Sequence, residues 1–172
     1  MGVADAKSGG GAGGQLEGHV EVDESYFGRR SSVPGPGAKT AVIGMAERDG
    51  RLRAKPIEST RAGTMLGEID LNVAPGSRIS TDEHRSYGGL TGMGYDHQTV
   101  EHGAKEFARG DVHVNTLEGY WSRLKASIRG THVHISEKHL DKYVAEFAYR
   151  YNMRKRPEAM FRTIIASVSR RA

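Results

Sequence analysis

From His19 to Phe27 apolar and polar residues alternate, the period of two that predicts a half-buried strand. Residues 28–37 hold two prolines, three glycines and the pair Arg29-Arg30, which reads as a basic loop. Two further strand-like runs, Thr40 to Ala46 and Arg51 to Ile57, are joined through Arg48-Asp49-Gly50, and Asp-Gly between such runs is a strong hairpin signal. Between Thr60 and Val73 the period changes: Met65, Leu66, Ile69 and Val73 recur at helical spacing until Pro75-Gly76 stops the helix. A short strand over Arg78–Asp82, a short helix over Tyr87–Gly92 and a strand near Tyr95–His102 follow. From Asn115 onward the pattern is helical. Ser136 is placed to cap a helix whose stripe is Leu140, Tyr143, Val144, Phe147 and Tyr151. Pro157 is suited to begin the last helix, striped by Phe161, Ile164, Ile165 and Val168.

Three strands, a helix, a strand, a short helix, a strand and then helices predict an α/β fold. Its centre would be a mixed five-stranded sheet flanked by helices, with further helices at the C-terminus. The glycine-rich residues 1–16 read as a flexible tail, and residues 17–172 as one domain. No internal repeat is visible.

Composition narrows the function classes. The chain has 172 residues, 37% of them hydrophobic, and no apolar run approaches the roughly 18 residues that span a bilayer. The first residues carry no secretory signal. Cysteine is absent, which excludes disulfides and cysteine-held zinc and suits a reducing cytoplasm. The net charge of +4 is unevenly spread. Residues 1–104 hold 11 Lys/Arg against 14 Asp/Glu, whereas residues 105–172 hold 14 against 7. A basic second half suits a polyanion such as nucleic acid, although a solvated charged face would have the same composition.

Three carboxylates fall where chemistry is possible. Asp23 lies in the first predicted strand, Asp82 ends the fourth, and Glu118 stands one turn into the helix beginning near Asn115. Such a trio can hold two divalent cations at an in-line phosphoryl transfer, and carboxylates suit the hard ions Mg²⁺ and Mn²⁺. Taken singly, each acid is more commonly a surface or capping residue. At 100° per residue, Asn115, Glu118, Ser122 and Lys125 share one helix face at about 0°, 300°, 340° and 280°. Leu117, Trp121, Leu124 and Ile128 occupy the opposite, apolar face at about 200°, 240°, 180° and 220°. An ordinary amphipathic helix with solvated Glu118 and Lys125 satisfies the same periodicity. His84, His97, His102, His113, His132 and His134 are scattered without a metal-binding spacing and suit surface or structural roles.

Three ordered blocks of residues carry a family resemblance. They are Val22-Asp23-Glu24-Ser25-Tyr26-Phe27-Gly28; Thr81-Asp82-Glu83-His84 with Tyr87; and His113-Val114-Asn115-Thr116-Leu117-Glu118-Gly119-Tyr120-Trp121-Ser122 with Lys125. With Tyr143, Glu146-Phe147, Arg150, Asn152 and Arg154, they resemble bacterial insertion-sequence transposases of the ISXO-like group, from about residue 17 to 156. The resemblance implies a ribonuclease-H-like fold and DDE-type chemistry at insertion-sequence ends, in which Asp23, Asp82 and either Glu118 or Asn115 position two Mg²⁺ (or Mn²⁺) ions. The third acid is open because this group often has asparagine there, and Asn115 matches it. The resemblance further implies that Lys125 contacts phosphate, while Arg29, Arg30, Lys39, Arg150, Arg154, Lys155 and Arg156 are candidates for flanking DNA backbone.

The implied partners are double-stranded DNA, as transposon ends and target, and further copies of the chain assembled on it, in the cytoplasm at the nucleoid and without a membrane. Full-length relatives are implied to carry an upstream zinc-ribbon or helix-turn-helix region. With about 16 residues before its first strand, the chain is expected to be a truncated product, a fragment or a late-started reading frame. A non-catalytic remnant that binds DNA or dimerises as a regulator is the main alternative. A different nuclease of the same fold is the third possibility, disfavoured by the Asn115–Trp121 motif.

Overall fold

The structure, a computed structural model, describes residues 14–28, 39–100, 115–131 and 137–169. Among these described residues are five strands: β1 (His19–Phe27), β2 (Thr40–Glu47), β3 (Leu52–Ile57), β4 (Arg78–Thr81) and β5 (Asp96–Thr99). The α-helices are α1 (Ala62–Asn72), α2 (Asn115–Thr131), α3 (Glu137–Asn152) and α4 (Pro157–Ser169). The strand order is β3-β2-β1-β4-β5, with the first three antiparallel and β1, β4 and β5 parallel. This is the mixed, helix-flanked sheet that the element order predicts.

The alternation of side chains on each strand builds two cores. On one face Val20, Val22, Ile43, Met45 and Ile79 pack under Met65 and Ile69 of α1, with Tyr87, Leu90 and Tyr95 from the segment before β5. On the other face Phe27, Val42, Ala46 and Leu52 meet Leu117, Tyr120, Trp121 and Leu124 of α2 and Leu140, Val144 and Ala148 of α3. Both faces of β1 are therefore covered, and the expectation of a half-buried strand is corrected. On the α2 side its polar residues Glu21, Asp23 and Ser25 are buried or half-buried because α2 lies over them.

The β2–β3 hairpin forms at Asp49-Gly50, with Asp49 left-handed at φ 58°. The Glu47 carboxylate ties it by accepting from the Arg51 backbone N–H at 2.9 Å and from its guanidinium at 2.7 Å. Leu16, assigned to the tail by its glycine-rich neighbours, is fully buried instead, and its backbone bonds to both Asn72 and Ala74 at the end of α1. The predicted short helix resolves into two single 3-10 turns, Arg85–Tyr87 and Thr91–Met93. Gly88, Gly89, Gly92 and Gly94 are poor helix formers that interrupt this stretch. The fifth strand is shorter than expected, and the predicted cap Ser136 and strand end His102 lie outside the described residues.

Candidate metal centre

β1 and β4 run parallel, pairing His19 with Arg78, Val20 with Ile79 and Glu21 with Ser80. Continuing that register by two residues sets Asp82 beside Asp23, on the same face as Glu21 and Ser80. Pairing has stopped by then, so the sheet opens there and side chains can converge on a ligand. One carboxylate oxygen each from Asp23, Asp82 and Glu24 lie within 4.8 Å of one another. All three residues are half-buried.

A different donor tethers each acid. Trp121 Nε1 of α2 donates to Asp23 Oδ2 at 2.9 Å. The His84 backbone N–H donates to Asp82 Oδ1 at 3.0 Å, closing a local turn. The Tyr87 hydroxyl donates to Glu24 Oε2 at 2.7 Å. Among the described residues, no Lys or Arg forms an ion pair with any of the three. Two unit charges at such a spacing repel by roughly 3 kcal/mol at an effective dielectric of about 20. The Asp23 carboxyl is pushed up from 3.8 to about 6. Burial is the main cause and the neighbouring charges of Glu24 and Asp82 add to it, with the Trp121 hydrogen bond opposing. Burial, reinforced by Glu24, keeps the Tyr87 phenol protonated far above its ordinary value, so it can only donate to that carboxylate.

α2 is pinned to β1 in two places. Glu21, fully buried on β1, accepts from the Thr116 backbone N–H at 3.0 Å and from its hydroxyl at 2.9 Å. Amides in a first helical turn lack intrahelical acceptors, so a carboxylate from below satisfies one of them. The second pin is the Trp121–Asp23 bond. It needs close approach of helix to sheet, and Gly44, the β2 partner of Asp23, permits it. A Cβ at Gly44 would lie 2.6 Å from Trp121 Cζ2 and 2.8 Å from Leu117 Cδ2.

The sequence-derived residues are thus only partly gathered. Asp23 and Asp82 meet. Asn115 and Glu118 are exposed on the first turn of α2, and Glu118 stands outside the three-carboxylate group. Lys125, half-buried one turn beyond Trp121, has its ammonium 5.8 Å from the centre of the Phe27 ring. Lys39 is exposed, and Arg29 and Arg30 lie outside the described residues. Arg150 pairs with Glu146 on its own helix. Arg154 stacks on Tyr151 at 3.9 Å and donates to the Gly50 carbonyl, and Lys155 donates to that of Asp49, so both brace α3 against the hairpin. His97 bonds Thr81 Oγ1 at 2.9 Å and His84 Nδ1 caps Ser86, both structural roles; the remaining histidines singled out lie outside the described residues. Glu24 is the residue that sequence reasoning did not put in the site. Its signal was direct adjacency to Asp23 within the first motif.

Residues 15–152 match the family described as the ISXO2-like transposase domain. An uncharacterized transposase-like protein of Haemophilus influenzae is 26% identical over 96 residues, covering 56% of this chain and 76% of its own. Among solved structures, the catalytic core domain of BIV integrase superposes with a TM-score of 0.47 at 13% identity, over 77% of this chain and 81% of its own. The HTLV-2 integrase catalytic core domain in complex with magnesium gives 0.43 at 12%, over 80% and 87%.

Proposed function

Since the chain belongs to the ISXO2-like transposase family and is built on a mixed five-stranded sheet, we propose that it cuts and rejoins phosphodiester bonds at insertion-sequence ends with carboxylate-held divalent metal. The observation that carries this reading is the meeting of Asp23 and Asp82, from β1 and the end of β4, at the open end of the sheet. Half-buried carboxylate oxygens without a Lys or Arg partner among the described residues are a donor set suited to Mg²⁺ or Mn²⁺.

Two ions held there would supply positive charge at the attacking and leaving oxygens of an in-line displacement. Asp23 and Asp82 bind, and Trp121 fixes the rotamer of Asp23. From the first turn of α2, Glu118 or Asn115 is the proposed further ligand. Lys125 neutralises a DNA phosphate beside the site, with Lys39, Arg29 and Arg30 extending that contact. Burial of Asp23 between β1 and α2 limits water on one side of the site. The DNA is double-stranded, and the chain works as a homo-oligomer on nucleoid DNA in the cytoplasm. Among the described residues no helix is long and apolar enough to cross a membrane.

The decisive assay uses a plasmid carrying the element's terminal sequences, with Mg²⁺. Asp82→Asn is expected to abolish nicking and strand transfer while its melting curve stays that of a folded protein. Cleavage at the parent rate would remove Asp82 from the mechanism. DNA binding by the parent chain without metal-dependent cleavage would instead favour a regulatory remnant.

A further inference from the structure

Consecutive residues on a strand point to opposite faces, so Asp23 and Glu24 should not share a ligand. Two features of the fold bring them together. The β1–β4 pairing ends at Glu21–Ser80, leaving β1 beyond it unpaired on that edge, next to Asp82. The 3-10 turn Arg85–Tyr87, directly after Asp82, then brings the Tyr87 phenol to Glu24 Oε2 at 2.7 Å. Tyr87 is itself immobilised: it is buried in the core under α1, and the Ser86 hydroxyl of the same turn donates to the Thr60 carbonyl. The His84 ring meets it edge-on at 6.2 Å. One short segment, residues 82–87, therefore delivers Asp82 and also clamps Glu24.

Resting on the metal-dependent reading above, we infer that Glu24 is a third carboxylate ligand of the metal centre and that Tyr87 is its positioning residue. The phenol occupies Oε2 and fixes the plane of the carboxylate, which remains close to Asp23 and Asp82. β1 then contributes a pair of adjacent ligands from its two faces, and the centre has three acids from the sheet side before α2 adds anything. Donors that orient a ligating carboxylate in this way typically change metal affinity about 10–100-fold when removed.

Mn²⁺ binding to the metal-free chain, followed by titration calorimetry and by the electron paramagnetic resonance of free Mn²⁺, tests this without DNA or turnover. Glu24→Gln keeps an acceptor for Tyr87 and removes only the charge. Tyr87→Phe keeps the buried ring and removes only the donor. Both are expected to weaken Mn²⁺ binding by about tenfold or more. Melting of Glu24→Gln without metal should equal or exceed that of the parent, since one charge of the cluster is gone, and that variant decides the matter even if Tyr87→Phe proves poorly folded. Parent-like Mn²⁺ affinity in Glu24→Gln, alongside loss in Asp82→Asn, would overturn the role of Glu24 and leave the metal centre standing. A parent chain that takes up no Mn²⁺ would overturn both.

Discussion

Replacing Asp23 by asparagine should stabilise the metal-free protein. The Asp23 carboxyl titrates near 6 in the fold and near 3.8 when unperturbed, chiefly because burial penalises its charge. A difference of roughly two units corresponds to about 3 kcal/mol. The sign follows from proton binding. Between the two values the folded state holds a proton that the unfolded state has released, so stability falls as pH rises through this window and stays reduced above it. Asparagine has no charge to bury and still offers Trp121 Nε1 an acceptor. The variant should therefore match the parent below about pH 4 and exceed it by roughly 2–3 kcal/mol above pH 6, a melting shift of about 4–12 °C for a chain of this size. Thermal melts of both proteins with chelator at pH 3.5, 5 and 8 measure this directly, since titrations common to both cancel in the difference. Adding Mn²⁺ at pH 8 should raise the melting point of the parent and leave the variant unmoved. A variant no more stable than the parent at pH 8, or with an equal gain at pH 3.5, would refute the claim that Asp23 is held against an ionisation cost.

Two further substitutions probe the supports of the site. Gly44→Ala places a methyl against Trp121 and Leu117 and should cost about 1–3 kcal/mol in urea unfolding. Because Trp121 is the sole tryptophan, its fluorescence should also shift; an unchanged spectrum and midpoint would mean the helix has room to spare. Asn152→Ala removes both bonds to Leu52, 2.7 Å to its N–H and 2.9 Å to its carbonyl, and should cost about 1–3 kcal/mol by the same measurement.

Much of this arrangement was legible from periodicity. The strand run from His19, the Asp49-Gly50 hairpin and the stripe through Leu117, Trp121 and Leu124 all read as they fold, because each pattern is local. What escaped depends on contacts between distant segments. The alternation in β1 does not say that α2 will cover the polar face, nor that Glu21 will cap Thr116 from beneath. Strand alternation actively argues against Glu24 joining Asp23. Only the early end of β1–β4 pairing and the reach of Tyr87, 63 positions later, reverse that inference. Similarly, Arg154 and Lys155 read as candidates for contact with DNA backbone, and the sequence does not say that both also donate to carbonyls of the hairpin. Leu16 was hidden by the glycines before it.

Fastening α2 to alternate residues of β1 makes this strand unusually sensitive to length. A single-residue insertion between Val20 and Glu21 would send every following side chain to the opposite side of the sheet. The buried anchor beneath Thr116 and the acid under Trp121 would be presented to the α1 side, and Val22 would stand under Trp121 instead. Point changes in β1 can be graded, whereas a frame slip there undoes the helix mooring and the acidic centre in one event.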